Sequence, residues 1–173
     1  MRFKIGATFL ATACVAAFAV QGSAQESKPV GLSLRAGVFF PSDSSARAEA
    51  DAWLAFGAEF KIKDLHFGEQ QASYSSMLSI SADYMSKGSF HNTPVLLNYV
   101  GRVNQLYYTA GAGLGFSEVP SGLGSLSDTQ FAYSLAVGYD FQQARMPVFL
   151  EARYFGSSET RLNGFVAYLG VRL

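Results

Sequence analysis

The chain has a single cysteine, Cys14, two histidines, His66 and His91, and one tryptophan, Trp53. One cysteine excludes an intramolecular disulfide and a thiolate metal cage. The histidines do not fall in a zinc spacing such as H-x-x-x-H. Charged residues make up only 15% of the chain, against about 25% in an average soluble domain. Lys and Arg equal Asp and Glu in number, 13 of each, so no basic surplus points to nucleic acid. Long apolar runs are missing as well. Ile5 to Val20 is about 16 residues, short of the roughly 20 that a spanning helix needs.

That run opens the chain with Arg2 and Lys4 before it and Gly22, Ser23 and Ala24 after it. A positive start, a short apolar stretch and small residues form the pattern of an export signal. Residues 1–24 are expected to be cleaved, leaving one domain over 25–173. Without Arg2 and Lys4 the mature chain keeps 11 basic residues against 13 acidic, a net charge near −2. Cys14 lies inside the signal. The apolar run continues for six residues beyond it, which argues against a lipoprotein cleavage site there.

Aromatics reach 14%, and there are 17 glycines. A chain apolar enough for lipid, yet without a spanning helix, is left with the closed barrel as its way to satisfy backbone groups in a bilayer. Period-two alternation recurs throughout. It is clearest from Leu106 to Ser117, where Leu106, Tyr108, Ala110, Ala112, Leu114 and Phe116 alternate with small or polar residues. Similar segments run over Val30–Phe40, Trp53–Lys63, Ser73–Tyr84, Thr93–Gly101, Thr129–Phe141, Val148–Phe155 and Asn163–Leu173. These segments predict an all-β, eight-stranded antiparallel transmembrane β-barrel, an even count that brings both ends to one side.

Connectors after odd strands, Pro41–Ala52, Met85–Asn92, Glu118–Asp128 and Gly156–Leu162, are rich in Ser, Gly, Asp and Asn. Arg102–Gln105 and Gln142–Pro147 are tight, whereas Asp64–Ala72 is longer. Long odd and short even connectors match external loops and periplasmic turns. The outward face then carries apolar residues, with Tyr74, Tyr84, Tyr99, Tyr108, Phe116, Phe131, Tyr139, Phe141 and Tyr154 towards strand ends as aromatic girdles. The inward face collects Arg35, Glu59, Lys61, Asp83, Asp140, Glu151, Arg153 and Arg172. Eight strands enclose a space that side chains can fill, so four positive and four negative charges predict a salt-bridged, largely closed lumen. In the last strand Phe165, Leu169, Val171 and Leu173 face lipid beside the seam with the first.

No catalytic motif, cofactor or metal site is expected. His91 sits in a connector near hydroxyls and Glu residues, and a lone loop histidine is ordinarily a solvated side chain. Gly111, Gly113 and Gly115 look like a phosphate loop, but they alternate on one strand face with no helix following.

Four segments carry a family resemblance: Pro94–Tyr99, Tyr108–Gly115, Leu150–Tyr154 and Gly170–Leu173. Through them the chain resembles the small bacterial outer-membrane β-barrel proteins of the OmpA/OmpX type. The resemblance implies a monomer in the outer membrane, in contact with outer-membrane lipid and lipopolysaccharide and assembled by the barrel-assembly machinery. It implies a non-enzymatic structural or surface-interaction role through external loops. Family members usually end on an aromatic residue, where this chain has Leu173. Two alternatives stand beside it. A lipid-A-modifying barrel enzyme would need a His with a Ser or acidic partner near the outer lipid interface. A soluble periplasmic lipocalin-like binder would put its charges outside.

Overall fold

A computed structural model describes residues 31–65, 74–88, 90–121, 124–141 and 147–173. The expected signal over residues 1–24 and His66 lie outside the described residues. Eight strands follow in order: β1 Leu32–Pro41, β2 Trp53–Leu65, β3 Tyr74–Lys87, β4 Phe90–Val103, β5 Leu106–Ser121, β6 Gly124–Phe141, β7 Val148–Ser157 and β8 Gly164–Arg172. Each pairs antiparallel with its sequence neighbour, and β8 closes on β1. The seam runs in unbroken register from Ser33↔Arg172 to Pro41↔Gly164. Just beyond it the Leu173 N–H donates to the Leu32 carbonyl at 2.7 Å. Closure leaves no free sheet edge, the feature that would otherwise template aggregation.

The alternating pattern explains the wall. Leu54, Leu106, Leu135, Val137, Phe165 and Leu169 are among the most exposed side chains. Large apolar residues facing outward around a closed barrel are the signature of a surface solvated by lipid, and a lipocalin-like arrangement would reverse them. Two aromatic layers edge this band. Near the end bearing the described termini, Tyr74 shares hydrogen bonds with Tyr99 and Tyr108, and Tyr139 stands edge-on to Phe141 with centroids 5.0 Å apart. At the other end Tyr133, Tyr154 and Phe165 meet in tilted ring contacts, in sequence across β6, β7 and β8.

Strand limits differ from the sequence expectation at that second, loop end. Met85–Asn92 and Glu118–Asp128 are largely strand, with β3 and β4 paired out to Lys87↔Phe90 and β5 and β6 to Ser121↔Gly124. Backbone pairing continues past the level where outward side chains turn polar, so hydrophobic alternation stops before the ladder does. The Pro41–Ala52 connector holds a short helix, α1 Ser44–Glu49. Its start is capped by Asp43, whose carboxylate accepts from the Ser45 and Ala46 N–H groups at 2.8 and 3.3 Å. In β2 the pairing shifts between Lys61 and Lys63, a bulge that leaves Ile62 unmatched.

The lumen is filled in layers. Towards the loop end, Phe39, Trp53, Met85, Phe90, Leu96, Phe155, Leu162 and Val166 form one buried apolar cluster. Ala46 of α1 joins it, fully buried, so the helix seats on top as a stopper. Towards the terminal end Val100, Tyr107 and Phe149 make a second, smaller cluster. Between the two lie the charges.

Candidate functional site

Five charged side chains meet in mid-lumen, brought from β1, β2, β3 and β7. Arg35 faces Asp83 across β2, donating from Nε at 2.8 Å and from Nη2 at 2.7 Å. Two parallel bonds from one guanidinium to one carboxylate are the strongest form of this pair. The residue between them in the row is Gly57, and a Cβ there would lie 2.1 Å from the Asp83 carboxylate. Glycine at that position is what lets the pair cross.

Arg35 Nη1 also reaches Glu59 at 3.0 Å and Glu151 at 3.4 Å. Arg153 donates from Nε to Glu151 at 2.8 Å and from Nη2 to Glu59 at 3.4 Å. Tyr168 and Tyr107 donate to Asp83 and Glu151, each at 3.0 Å, and Ser79 donates to Glu59 at 2.9 Å. None of the five charged side chains is more than 7% exposed. Two cations thus face three carboxylates, and hydroxyl donors stabilise the extra negative charge.

The other three of the eight residues sit elsewhere. Asp140 pairs with Arg172 at 2.9 Å and lies 3.3 Å from Arg102. They line a cavity of about 360 Å³ at the terminal mouth. Arg172 lies over the rings of Phe149 and Tyr107, 4.5 and 4.8 Å from their centroids, and these rings separate the mouth from the central cluster. Lys61 is drawn aside to Asp64 at 2.9 Å on a half-exposed surface. In β8, Phe165 and Leu169 are each 59% exposed, paired with Phe40 and Ala36, while Val171 pairs with Leu34 and Leu173 is 39% exposed at the seam's end.

Sequence reasoning passed over Tyr107, Tyr168, Ser79 and Gly57. Their inward position was readable from alternation, but which hydroxyl meets which carboxylate depends on the register between strands. Arg102 fell within a predicted turn, although β4 continues through it.

A second constellation lies on the outer face near the loop end, in segments expected to be connectors. Ser86, His91 and Glu118 occupy one row across β3, β4 and β5, in register Ser86↔His91 and His91↔Glu118. His91 Nδ1 is 2.8 Å from Ser86 Oγ and 3.1 Å from the Tyr84 hydroxyl. Within the loops themselves, hydrogen bonds from Ser45 hold the Asp43 carboxyl below its ordinary range. Arg161 likewise lowers Glu159 by donating to it from Nε and Nη2, each at 2.7 Å. Among the described residues, no group of three His, Cys, Asp or Glu side chains could hold a metal ion.

No protein-family model and no curated protein matches the chain. Solved structures do match. The outer membrane protein Ail of Yersinia pestis in phospholipid bilayer nanodiscs is 15% identical, covering 83% of this chain and 99% of that one, with a TM-score of 0.44. A crystal structure of Ail with the heparin analogue sucrose octasulfate is 18% identical over 82% of this chain and 94% of that one, TM-score 0.45. The outer membrane enzyme PagL is 12% identical over 82% and 98%, TM-score 0.49. At such identities the likeness is one of architecture. The all-β, closed eight-stranded antiparallel barrel expected from the sequence is the fold of this chain.

Proposed function

We propose that the protein is a sealed barrel of the outer membrane that works through its loop end, exported by its leader and seated in lipid by its wall. One observation carries this reading: a continuous apolar outer face between two aromatic layers, around a lumen filled with side chains. Burial of lipid-facing apolar surface drives residence in the bilayer, and the packed interior gives solutes no aqueous path. Lipopolysaccharide and phospholipid are its immediate surroundings, and the barrel-assembly machinery would take its β8 strand.

The role then falls to the loop end. Its charges are Asp43, Glu49, Asp51, Glu118, Asp128 and Glu159 against Arg47, Lys87 and Arg161. An acidic surplus steers cationic partners in and polyanions away, so a basic peptide or protein surface is the class of ligand that fits. The experiment is direct. Fractionated cells are expected to hold the mature chain in outer membranes, starting at Gln25, and purified barrel in planar bilayers should show no stable conductance. Recovery of folded protein without detergent, or steady single-channel steps, would overturn the reading.

A further inference from the structure

The cavity at the terminal mouth is a blind pocket with an unbalanced charge. Its lining carries three cations, Lys61, Arg102 and Arg172, against two carboxylates, Asp64 and Asp140. Lys61 and Asp64 satisfy each other at the rim, 2.9 Å apart. That leaves two guanidinium groups for the single carboxylate of Asp140. Arg172 takes it, donating from Nε at 2.9 Å, and engages Ser33 from Nη1 at 3.2 Å. Arg102 comes second. Its Nε stands 3.3 Å from the other Asp140 oxygen, but out of line for a hydrogen bond. Among the described residues, neither Nε nor Nη2 of Arg102 has a hydrogen-bond partner, although both are covered from solvent.

Nε and Nη2 are the edge with which Arg35 holds both oxygens of Asp83. On Arg102 the same edge is unfilled. A covered donor without a partner is destabilising, and a guanidinium edge matches a carboxylate with two parallel bonds. One net positive charge is balanced by a monoanion. Leu32, Met77, Val100 and Pro147 add an apolar lining. The volume, about 360 Å³, lies at the small end of ligand pockets, which run to about 300–1,000 Å³. We propose that the terminal mouth binds a small organic monocarboxylate, with its carboxylate on Arg102 and its apolar body against Leu32 and Met77. The site lies at the far end of the barrel from the loops and goes beyond the interaction role.

The two arginines divide the work. Arg172 is fixed over the Phe149 and Tyr107 rings and keeps Asp140. The Arg102 side chain is 30% exposed, so it can turn its unfilled edge towards the cavity it lines. Each guanidinium then serves one carboxylate, and the two anions lie apart on separate cations. A dianion such as phosphate would leave one negative charge in excess. The carboxylate can belong to a free acid or to the chain end of a peptide, since the fork reads only the two oxygens.

The probes are hexanoate and acetyl-alanyl-leucine, with hexanamide and the amidated dipeptide as their neutral counterparts. Each is titrated into mature barrel in zwitterionic micelles at about pH 7, where carboxylates are ionised, while NMR follows the arginine Nε–H signals. A saturable shift of the Arg102 signal is expected with a carboxylate, and at least about 10-fold weaker binding with its amide. Hexanoate alone would assign the site to free acids, the dipeptide alone to chain ends, and both to either source. Arg102→Gln should weaken binding by at least about 10-fold and retain heat-modifiable gel mobility. Arg102→Lys, which keeps the charge without the fork, should weaken it by less. Equal binding of acid and amide, no saturable shift with either carboxylate, or undiminished affinity in both variants would overturn the proposal.

Discussion

The same chemical pair, a guanidinium against a carboxylate, occurs in this barrel in two settings. In mid-lumen Arg35 and Arg153 are 1% and 0% exposed and share three carboxylates with two tyrosines and a serine. At the loop end Arg161 and Glu159 are 36% and 24% exposed and have mainly each other. The geometry of the outer pair is as good, with two bonds of 2.7 Å. Context differs, because water screens the outer pair and replaces either partner when it leaves. In the lumen nothing replaces a missing charge, so the interior network is a specification of shape while the outer pair is a local clasp.

Substitution of Arg153 by Met tests the interior end of that contrast with the largest effect. It leaves Arg35 alone against Glu59, Asp83 and Glu151, three carboxylates buried from solvent. Breaking a buried pair in this way costs about 3–5 kcal/mol. We expect the urea midpoint of the barrel in lipid vesicles to fall accordingly. An unchanged midpoint would show that one carboxyl takes up a proton at little cost.

Glu151→Gln should cost less, although Glu151 is equally buried. Removing this carboxylate leaves two cations facing two anions. What is lost is the strength of the bonds from Arg153, Arg35 and Tyr107, about 1–3 kcal/mol. The order Arg153→Met above Glu151→Gln is the decisive result, and the reverse order would mean that the three-against-two charge count does not govern the cluster.

How much of this was legible beforehand depends on which kind of information each feature needs. Inward and outward faces follow from a period of two, so Arg35, Glu59, Asp83, Glu151 and Arg153 could be assigned to the lumen without coordinates. Their grouping could not. Asp140 and Arg172 face inward by the same rule, yet Phe149 and Tyr107 partition them from the cluster, and height along the barrel is set by strand stagger. Lys61 shares its face with Glu59 but stands at the rim, where Asp64 after the Ile62 bulge captures it. The Ser86, His91, Glu118 row was hidden for another reason. Apolar alternation tracks lipid, and these three residues lie in strand that has already left it.

Arg172→Met probes the intermediate setting at the mouth. Asp140 would still face Arg102, 3.3 Å away, and the cavity beside it admits water. The loss should be about 1 kcal/mol, nearer to an exposed pair than to a buried one. A shift of the urea midpoint as large as that of Arg153→Met would place the mouth and the centre in one cooperative network.

The smallest effect belongs to the clasp, and pH reveals it. Arg161 lowers the Glu159 carboxyl below its ordinary range, first through the side-chain hydrogen bond. A lowered folded-state value means that the contribution is complete above the ordinary carboxylate range, about 4.3 for Glu. It fades as pH falls through the lowered value. Solvent screening keeps it below about 1 kcal/mol, too little to move global unfolding. It should act locally, on the turn Thr160–Leu162, where Glu159 also accepts from the Arg161 N–H at 3.2 Å. The amides of Arg161, Leu162 and Asn163 should therefore lose protection against hydrogen exchange below about pH 4, while those of β7 and β8 keep theirs. Glu159→Gln should show the weakened turn at every pH and no further loss in acid. Protection in the wild-type turn that is the same at pH 3 and pH 6, after correction for intrinsic exchange, would mean that the backbone bonds from Leu162 to Glu159 and from Asn163 to Thr160 hold it without the clasp.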